Sequence, residues 1–515
     1  MPDPTRMAEP ITNAIGAGVP LQRLRGATVR GILWFGGDQF GRRVVDQIFA
    51  VVLARMLFPK DYGVFALAAV FLTFLRIIGS MGMGSAVIQR REVDEEYLST
   101  GFWASVTLGV ILAAIGAASG FLIGRWLGDP LVGRVLSVLS LSFLIIAGSS
   151  MQMAIVLRSM DYRLLAFRSM AATLIGGVIG ISMAYRGMGV WSFVGQELAM
   201  YASGTLLLWR ATGWRPRFVF VWSKFLELWS FGGRLQAAAL FDYLVRQMDN
   251  LLIGRYLGAT ALGYYTFGYS VFLAPLNDIG MLNRVFFPAL SRLQDDASRF
   301  KAAFIRATQY VTMVALPMLV GLALVAPLAV SVVFGAKWLP SLPVIRLLTL
   351  AGILRVLTAF WPTGLQATGR PDLRLRLSLF SVALYLPAFV VGLRWGIIGV
   401  AAGYLVATVM LLPVAYRYVS QTIGITVRDV WRAISTTVIG CIVMAAAVAA
   451  LMWAIEVHLH LPNALALVVL VTVGAVIYAA ALWLIEPQVI RGLVRAVAEV
   501  VPGRRSSGRR EAPQA

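Results

Sequence analysis

Long apolar stretches separated by short polar breaks follow one another along most of this chain of 515 residues. A stretch of about 20 apolar residues is long enough for an α-helix to cross the apolar core of a bilayer, and the pattern predicts an all-α polytopic membrane protein of about fourteen transmembrane helices. The predicted helices occupy residues 28–55, 62–88, 99–125, 133–157, 165–185, 188–209, 226–255, 260–290, 305–333, 341–366, 373–393, 396–417, 430–455 and 463–485.

The composition favours the same class, because 59% of the residues are hydrophobic and only 13% are charged, whereas soluble domains carry about 25% charged residues. The net charge is +21. Lys and Arg are roughly three times as frequent in the loops on the side of both chain ends as in the opposite loops, which predicts cytoplasmic termini in the inner (plasma) membrane. Because this bias accounts for the positive charge, we expect no nucleic-acid partner.

An internal repeat divides the chain. Residues 54–65 (ARMLFPKDYGVF) return 200 positions later as residues 254–265 (GRYLGATALGYY), and Gly187–Val190 is echoed by Gly396–Val400. Two six-helix lobes of the same orientation, related by an axis along the membrane normal, would leave a central cleft between them. The predicted domains are a cytoplasmic tail (1–26), an N-lobe of helices one to six (27–212), a C-lobe of helices seven to twelve (222–420), a final helix pair (428–486) and a cytoplasmic C-terminal tail (487–515).

Charged residues interrupt several predicted helices, and each would cost roughly 2.5–3.5 kcal/mol if it faced lipid. On helices one and seven they recur at helical spacing, so we expect them on one face, towards a water-filled cleft. Arginines in such a cleft suit a phosphate or diphosphate, although each could instead pair with a carboxylate and stabilise the bundle. The candidate substrate-binding residues are Arg42, Arg43, Arg76, Arg246 and Arg284, and the candidates for charge balance or ion coupling are Asp38, Asp46, Glu197, Asp242 and Asp249.

Enzymes are poorly matched by this sequence. The predicted extracytoplasmic loops are all short, and no GxxxxGK[ST] motif provides a nucleotide site. The single cysteine, Cys441, lies in an apolar stretch, and His458 and His460 lie in a short loop. We therefore expect no catalytic residues, no cofactor and no metal site.

Several strings of this sequence resemble those of a known transporter family. ARMLFPKDYGVFAL, GSAVIQRREVDEEYLSTGFW, MDNLLIGRYLGATALGYY and FFPALSRLQDD are similar to polysaccharide exporters of the MOP flippase superfamily, in particular the lipopolysaccharide and colanic-acid exporter group (Wzx-type oligosaccharide flippases). The resemblance runs from about residue 28 to at least residue 420. It implies fourteen helices in two six-helix lobes plus two, and outward flipping of undecaprenyl-diphosphate-linked glycans.

The resemblance also suggests which arginines matter. The related lipid II flippases use arginines of the first, second and eighth helices in their central cavity, and this chain has Arg42 or Arg43, Arg76 and Arg284 on those helices. We expect a flippase that moves a lipid-linked oligosaccharide to the periplasmic leaflet by alternating access. Its partners would be this substrate, membrane lipid and the polysaccharide polymerase or export machinery. The alternatives are a drug/cation antiporter of the same superfamily and a non-transporting membrane component of a polysaccharide assembly machine.

Overall fold

The computed structural model describes residues 41–79, 87, 90, 93–228, 240, 243–244, 246–274, 276, 286–287, 290–459 and 461–487. Within these residues the chain is largely helical and contains no β-strand, which confirms the predicted all-α class.

The first half of the described chain forms eight helices, three of which begin at an aspartate. Asp94, Asp129 and Asp161 each accept a hydrogen bond from a backbone N–H of the following turn, and such side-chain caps favour the start of a helix. The eight helices are α1 (residues 41–56), α2 (Pro59–Gly79), α3 (Glu95–Leu127), α4 (Pro130–Leu139), α5 (Ser142–Ala147), α6 (Ser150–Arg158), α7 (Tyr162–Tyr185) and α8 (Trp191–Thr212).

The second half contains nine further helices, together with short turns of other helical types. A π-helical turn, Val330–Phe334, extends one of them, and a 3₁₀ turn, Ala336–Ser341, precedes the next. The nine helices are α9 (Met248–Tyr256), α10 (Gly258–Leu273), α11 (Ala297–Ala329), α12 (Leu342–Leu357), α13 (Trp361–Ala367), α14 (Pro371–Gly392), α15 (Gly396–Ile423), α16 (Val427–Ala454) and α17 (Asn463–Ile485).

Nine stretches of the described chain are long and apolar enough to cross a membrane. One of them, Asp372–Ile423, contains both α14 and α15. These two helices form a tight hairpin, since a Cβ at Gly392 would lie 2.4 Å from the carbonyl oxygen of Gly399. The chain is therefore an integral multi-pass membrane protein. The predicted count of fourteen is not tested, because predicted helices one, two, seven and eight include residues outside the described part.

Loops that were predicted to share the extracytoplasmic side meet at one end of the bundle. Asp61 lies against Gly189, because a Cβ on that glycine would be 2.9 Å from the aspartate Oδ1. The Arg255 guanidinium lies 5.9 Å from the centre of the Trp126 ring. The loops after α1, α3, α7 and α9 thus lie together, as an alternating up-and-down path requires. Which side of the membrane this end faces stays a prediction.

The described residues form two compact units. In the second unit, α11 is joined to the last two helices by an ion pair between Lys301 and Asp429 at 2.7 Å and by the Tyr478 hydroxyl, which donates to the Met313 carbonyl oxygen at 2.7 Å. The first unit contains the described residues up to Leu273, Ala326–Ala351 and Ser378–Leu411, and the second contains those of Ala274–Val325, Gly352–Leu377 and the chain from Leu412 onward.

Within the first unit, α2 crosses α10 with backbone against backbone. A Cβ at Gly63 would lie 1.7 Å from the Ala259 carbonyl oxygen, and a Cβ at Gly263 would lie 1.7 Å from the Pro59 carbonyl oxygen. Each position and its counterpart are 200 residues apart, the spacing of the repeat in the sequence. The contact is therefore reciprocal between the two repeats. Small residues permit such close approaches between membrane helices.

We predict that Gly63→Ala destabilises the protein, because the new methyl group would overlap a backbone oxygen that cannot rotate away. Overpacking of this kind costs about 1–3 kcal/mol or more. The apparent Tm of purified protein in detergent is expected to fall. Gly321→Ala in α11 is the matched control, since no atom of another described segment lies within 4 Å of its added Cβ. Equal Tm values for the two variants would contradict the close crossing.

Candidate functional site

Seven of the ten candidate site residues lie in the described part of the chain. Asp38, Asp242 and Arg284 lie outside the described residues. The remaining candidates fall into three places: one on α1, one between α2 and α8, and one at the start of α9.

On α1, the predicted pairing one helical turn apart is present. Arg42 Nε lies 3.8 Å from Asp46 Oδ2, and both side chains are about half exposed. Arg43, at the next position, is half-buried. The helix packs on α7, since a Cβ at Gly41 would lie 3.2 Å from Met170 Cε. The basic end of α1 therefore faces the first turns of α7.

The structure places a further arginine beside Arg42. Arg168, on α7, donates from Nε to the Gly204 carbonyl oxygen at 3.1 Å, and its helix packs on the end of α1 that carries Arg42. It contacts no carboxylate within the described residues. Arg168 was not among the candidate residues predicted from the sequence. The available signal was its position inside the predicted fifth helix, close to its first residue.

Between α2 and α8, Arg76 and Glu197 form an ion pair. Arg76 Nη2 lies 3.2 Å from Glu197 Oε1, and the Tyr201 hydroxyl donates to the same oxygen at 2.9 Å. The Arg76 guanidinium also lies 5.3 Å from the centre of the Tyr201 ring. Arg76 Nε is buried and makes no hydrogen bond within the described part. Arg76 thus has a carboxylate partner on another helix. The spacing of charges along its own helix gives no sign of this partner.

At the start of α9, the predicted shared face is not kept. Arg246 is exposed, whereas Asp249 is buried. A turn at Gln247, with φ −108° and ψ 4°, precedes the helix and interrupts the regular spacing. Arg246 and Asp249 therefore differ in burial, although their spacing predicted that both would lie on one face.

Asp249 is the one buried carboxylate among the described residues. Its Oδ2 accepts a hydrogen bond from the Tyr265 hydroxyl at 2.9 Å, and its Oδ1 accepts one from the Asn250 backbone N–H at 2.8 Å. No Lys, Arg or His of the described chain forms an ion pair with it. Two donors and no cation leave a site suited to one bound positive charge.

Near the glycine crossing, two cations connect the end of α1 to the segment that follows α11. Each cation donates hydrogen bonds to backbone carbonyl oxygens of the segment opposite its own. Arg55, at the end of α1, donates from Nε to the Val333 carbonyl oxygen at 2.8 Å and from Nη2 to that of Val332. Lys337 donates from Nζ to the carbonyl oxygens of Arg55 at 2.8 Å and Leu57 at 2.6 Å. Each cation thereby satisfies carbonyls at the end of the opposite helix. We call this arrangement the reciprocal cap.

An aromatic cluster surrounds the reciprocal cap. Trp338 is fully buried and donates from Nε1 to the Ala54 carbonyl oxygen at 2.9 Å. Its ring stacks on Phe267 with centroids 4.0 Å apart and meets Tyr62 edge-on at 4.9 Å. Water is thereby excluded from the space between α1, α2 and α10 at this end.

Comparison with known proteins gives the family. The family model described as "Polysaccharide biosynthesis protein" matches residues 52–343, more than half of the chain. The chain is 27% identical over 399 residues to the lipopolysaccharide biosynthesis protein WzxC of Escherichia coli (strain K12), covering 76% of this chain and 81% of that protein. It is 27% identical over 478 residues to the succinoglycan biosynthesis transport protein ExoT of Rhizobium meliloti (strain 1021), covering 90% and 94%.

Two solved structures share the fold. The lipid II flippase MurJ, in an inward closed conformation, has a TM-score of 0.68 at 14% identity and covers 90% of this chain and 100% of its own. An inward-facing multidrug resistance MATE family transporter of the MOP superfamily has a TM-score of 0.60 at 16% identity, covering 74% and 94%. The resemblance stated from the sequence is confirmed: this chain belongs to the polysaccharide biosynthesis protein family and has the fold of the MOP superfamily.

Proposed function

We propose that this protein carries an undecaprenyl-diphosphate-linked oligosaccharide from the cytoplasmic to the periplasmic leaflet of the inner membrane by alternating access. The observation that supports this most directly is the set of arginines on membrane-spanning helices of a chain whose relatives serve polysaccharide biosynthesis. Arg42, Arg76 and Arg168 lie on α1, α2 and α7. A diphosphate carries charge that such groups can match with bidentate hydrogen bonds. The transport involves no covalent step on the substrate.

The arginines would have unequal roles. Arg42 and Arg168 carry like charges on two helices that pack together, and an anion held between them would be attracted by both. Arg76 would meet the anion only by sharing or exchanging its contact with Glu197. Arg43, Arg246 and Arg284 stay candidates for the same diphosphate or for the glycan. Among the acidic residues, Asp38, Asp46 and Asp242 would balance charge.

Relatives in polysaccharide biosynthesis favour this function over the drug/cation antiporter, for which a cavity dominated by carboxylates would be expected. The likeness to the MATE transporter supports the shared fold alone. A polymerase or other export component remains the proposed protein partner, because a flipped oligosaccharide has to be consumed on the periplasmic side.

The test of the cationic site is export by Arg76→Ala in a deletion strain at equal protein level. Losing a charged hydrogen bond of about 1.5–3 kcal/mol predicts a fall in export of about tenfold or more. Mass spectrometry of polyprenyl-linked glycans should show the unflipped intermediate accumulating. Arg186→Ala, which removes an exposed charge at the end of α7, is the matched control.

Glu197→Gln separates binding from bundle stability. If Arg76 only stabilises the helices, Arg76→Ala and Glu197→Gln should lower the Tm and the export together. If Arg76 binds the substrate, Glu197→Gln should keep more export than Arg76→Ala does. Wild-type export by Arg76→Ala would contradict a role for this cation.

Asp249 is the proposed ion-coupling group, because no cation of the described residues pairs with this buried carboxylate, and a proton or another monovalent cation would neutralise its charge. We expect Asp249→Asn to abolish the dependence of transport on an ion gradient in proteoliposomes while downhill exchange continues. Tyr265→Phe, which removes a donor but keeps the carboxylate, should retain the dependence. Gradient-dependent transport by Asp249→Asn would rule out this assignment.

Alternating access requires the reciprocal cap to open on the periplasmic side. We predict that a reducible bis(methanethiosulfonate) cross-linker, which forms a disulfide with each cysteine and releases a sulfinate from each of its ends, lowers export at least tenfold when it joins cysteines at Phe58 and Lys337, since Lys337 Nζ lies 5.3 Å from the Phe58 ring centre. Reduction should restore it. The background is Cys441→Ser, which removes the single cysteine, and each single-cysteine variant is the control. Full export by completely cross-linked protein would show that this end need not open.

A further inference from the structure

The segment that follows α8, residues 213–222, takes an extended path along the start of α3. It ends at the first residue of a further short helical stretch, residues 222–228. Gly213 adopts a left-handed conformation with φ 62° and ends α8. The Arg217 backbone N–H donates to Ser99 Oγ at 3.1 Å, and the Val221 N–H donates to Thr100 Oγ1 at 3.1 Å. These bonds fix which edge of the segment faces α3. We call residues 213–222 the linker.

Ion pairs hold the linker and the helix that follows it to the acidic first turn of α3. Arg217 Nη2 lies 2.5 Å from Glu95 Oε2, and Lys224 Nζ lies 2.6 Å from Asp94 Oδ2 and 2.7 Å from Glu96 Oε2. The hydrogen bond from Lys224 holds the pKa of the Asp94 carboxyl below its ordinary value. The carboxylates of this turn therefore compensate two cations of the linker region within the protein.

The outward side of the linker is aromatic. Phe218 is 92% exposed, Trp222 64% and Phe220 48%, whereas the intervening Val219 and Val221 are less exposed. Alternate side chains of an extended segment point to opposite sides, so the three rings form one row. The row continues sideways, because Phe218 stacks on Trp103 with centroids 5.0 Å apart. We call Phe218, Phe220 and Trp222 the aromatic ridge.

The position of the ridge determines what it can meet. The linker bonds to the first turns of α3, which begins a stretch, Glu95–Leu127, that is long and apolar enough to cross a membrane, so the linker lies at the end of that stretch, where a membrane boundary is expected. Aromatic rings accumulate at this depth, between lipid headgroups and acyl chains. Arg215, exposed beside the ridge, donates to the carbonyl oxygens of Trp209 at 2.9 Å and Trp214 at 3.0 Å and places a positive charge next to the aromatic rings.

We propose that the aromatic ridge is a membrane-interface anchor whose rings insert among the headgroups of the adjoining leaflet, with Arg215 at the phosphates. The occupant of this surface is phospholipid. The anchor fixes the start of the second repeat to α3 and to the bilayer surface at once, so that the linker keeps its depth while other helices move. The proposal is independent of the substrate that the protein carries.

The test places a nitroxide spin label on single cysteines in the Cys441→Ser protein, reconstituted in vesicles of phosphatidylethanolamine and phosphatidylglycerol. Labels at Phe218, Phe220 and Trp222 should collide with lipid-soluble oxygen at least threefold more often than with a water-soluble nickel complex. Labels at Val219 and Val221 should collide rarely with either reagent. Arg299→Cys, at a side chain that is 78% exposed in the first turn of α11, gives the value for a water-facing site.

Two outcomes would overturn the anchor. Collision of the ridge labels with the nickel complex at the rate of the Arg299 label would place the ridge in water. Protection of the ridge labels from both reagents would mean that protein, and not lipid, covers them. Because export can be measured on the same labelled proteins, loss of folding is recognised separately. A failed anchor would leave the proposed transport function untouched.

Discussion

Where α2 crosses α10, the two glycines at positions 63 and 263 allow the backbones to touch with no side chain between them. This contact determines how closely the neighbouring segments can approach one another. It brings the end of α1 close to the segment that follows α11, so that Arg55 and Lys337 can each reach carbonyls on the other side. A methyl group at either glycine would separate the same elements. The reciprocal cap and the burial of Trp338 therefore both depend on the absence of two Cβ atoms.

The chemistry of the cap suits an end that has to open and close. Its cations bond to backbone carbonyls rather than to carboxylates, so opening exposes no uncompensated pair of opposite charges. Water solvates the carbonyl groups at the helix ends, the ammonium group of Lys337 and the guanidinium group of Arg55 well. The net contribution of such hydrogen bonds to stability is therefore small compared with their strength in isolation. The apolar contacts of Trp338 stabilise the closed state, because exposing this apolar surface to water costs free energy that new hydrogen bonds to water do not offset. Under the proposed alternating access, apolar packing would hold this end of the bundle closed, and the hydrogen bonds of the reciprocal cap would determine how the two segments align.

Much of the architecture could be read from the sequence, because it depends on local rules. Apolar length predicted the membrane class, and the 200-residue repeat aligned Gly63 with Gly263, which the structure brings together. The pairing of Arg76 with Glu197 could not be read in this way, since 121 positions separate them and only packing between helices decides which faces meet. The turn at Gln247 was missed for a related reason. A helical wheel assumes an unbroken helix, and no Gly or Pro marks the break next to Gln247.

The Arg76–Glu197 pair changes how selectivity for an anion would arise under the proposed function. A free arginine would attract any phosphate. An arginine that is already paired binds a new anion only by giving up its contact with the carboxylate, so the new anion must carry an equal or greater negative charge. Only a ligand with dense negative charge and two acceptor oxygens in one plane gains from that exchange. Glu197, once released, keeps the Tyr201 hydroxyl as a donor, so its charge is not left without a hydrogen bond. A diphosphate meets these requirements, and a cationic or neutral drug does not. The carboxylate that reduces the free charge of the site thus sharpens its preference for the group that a polyprenyl diphosphate carries.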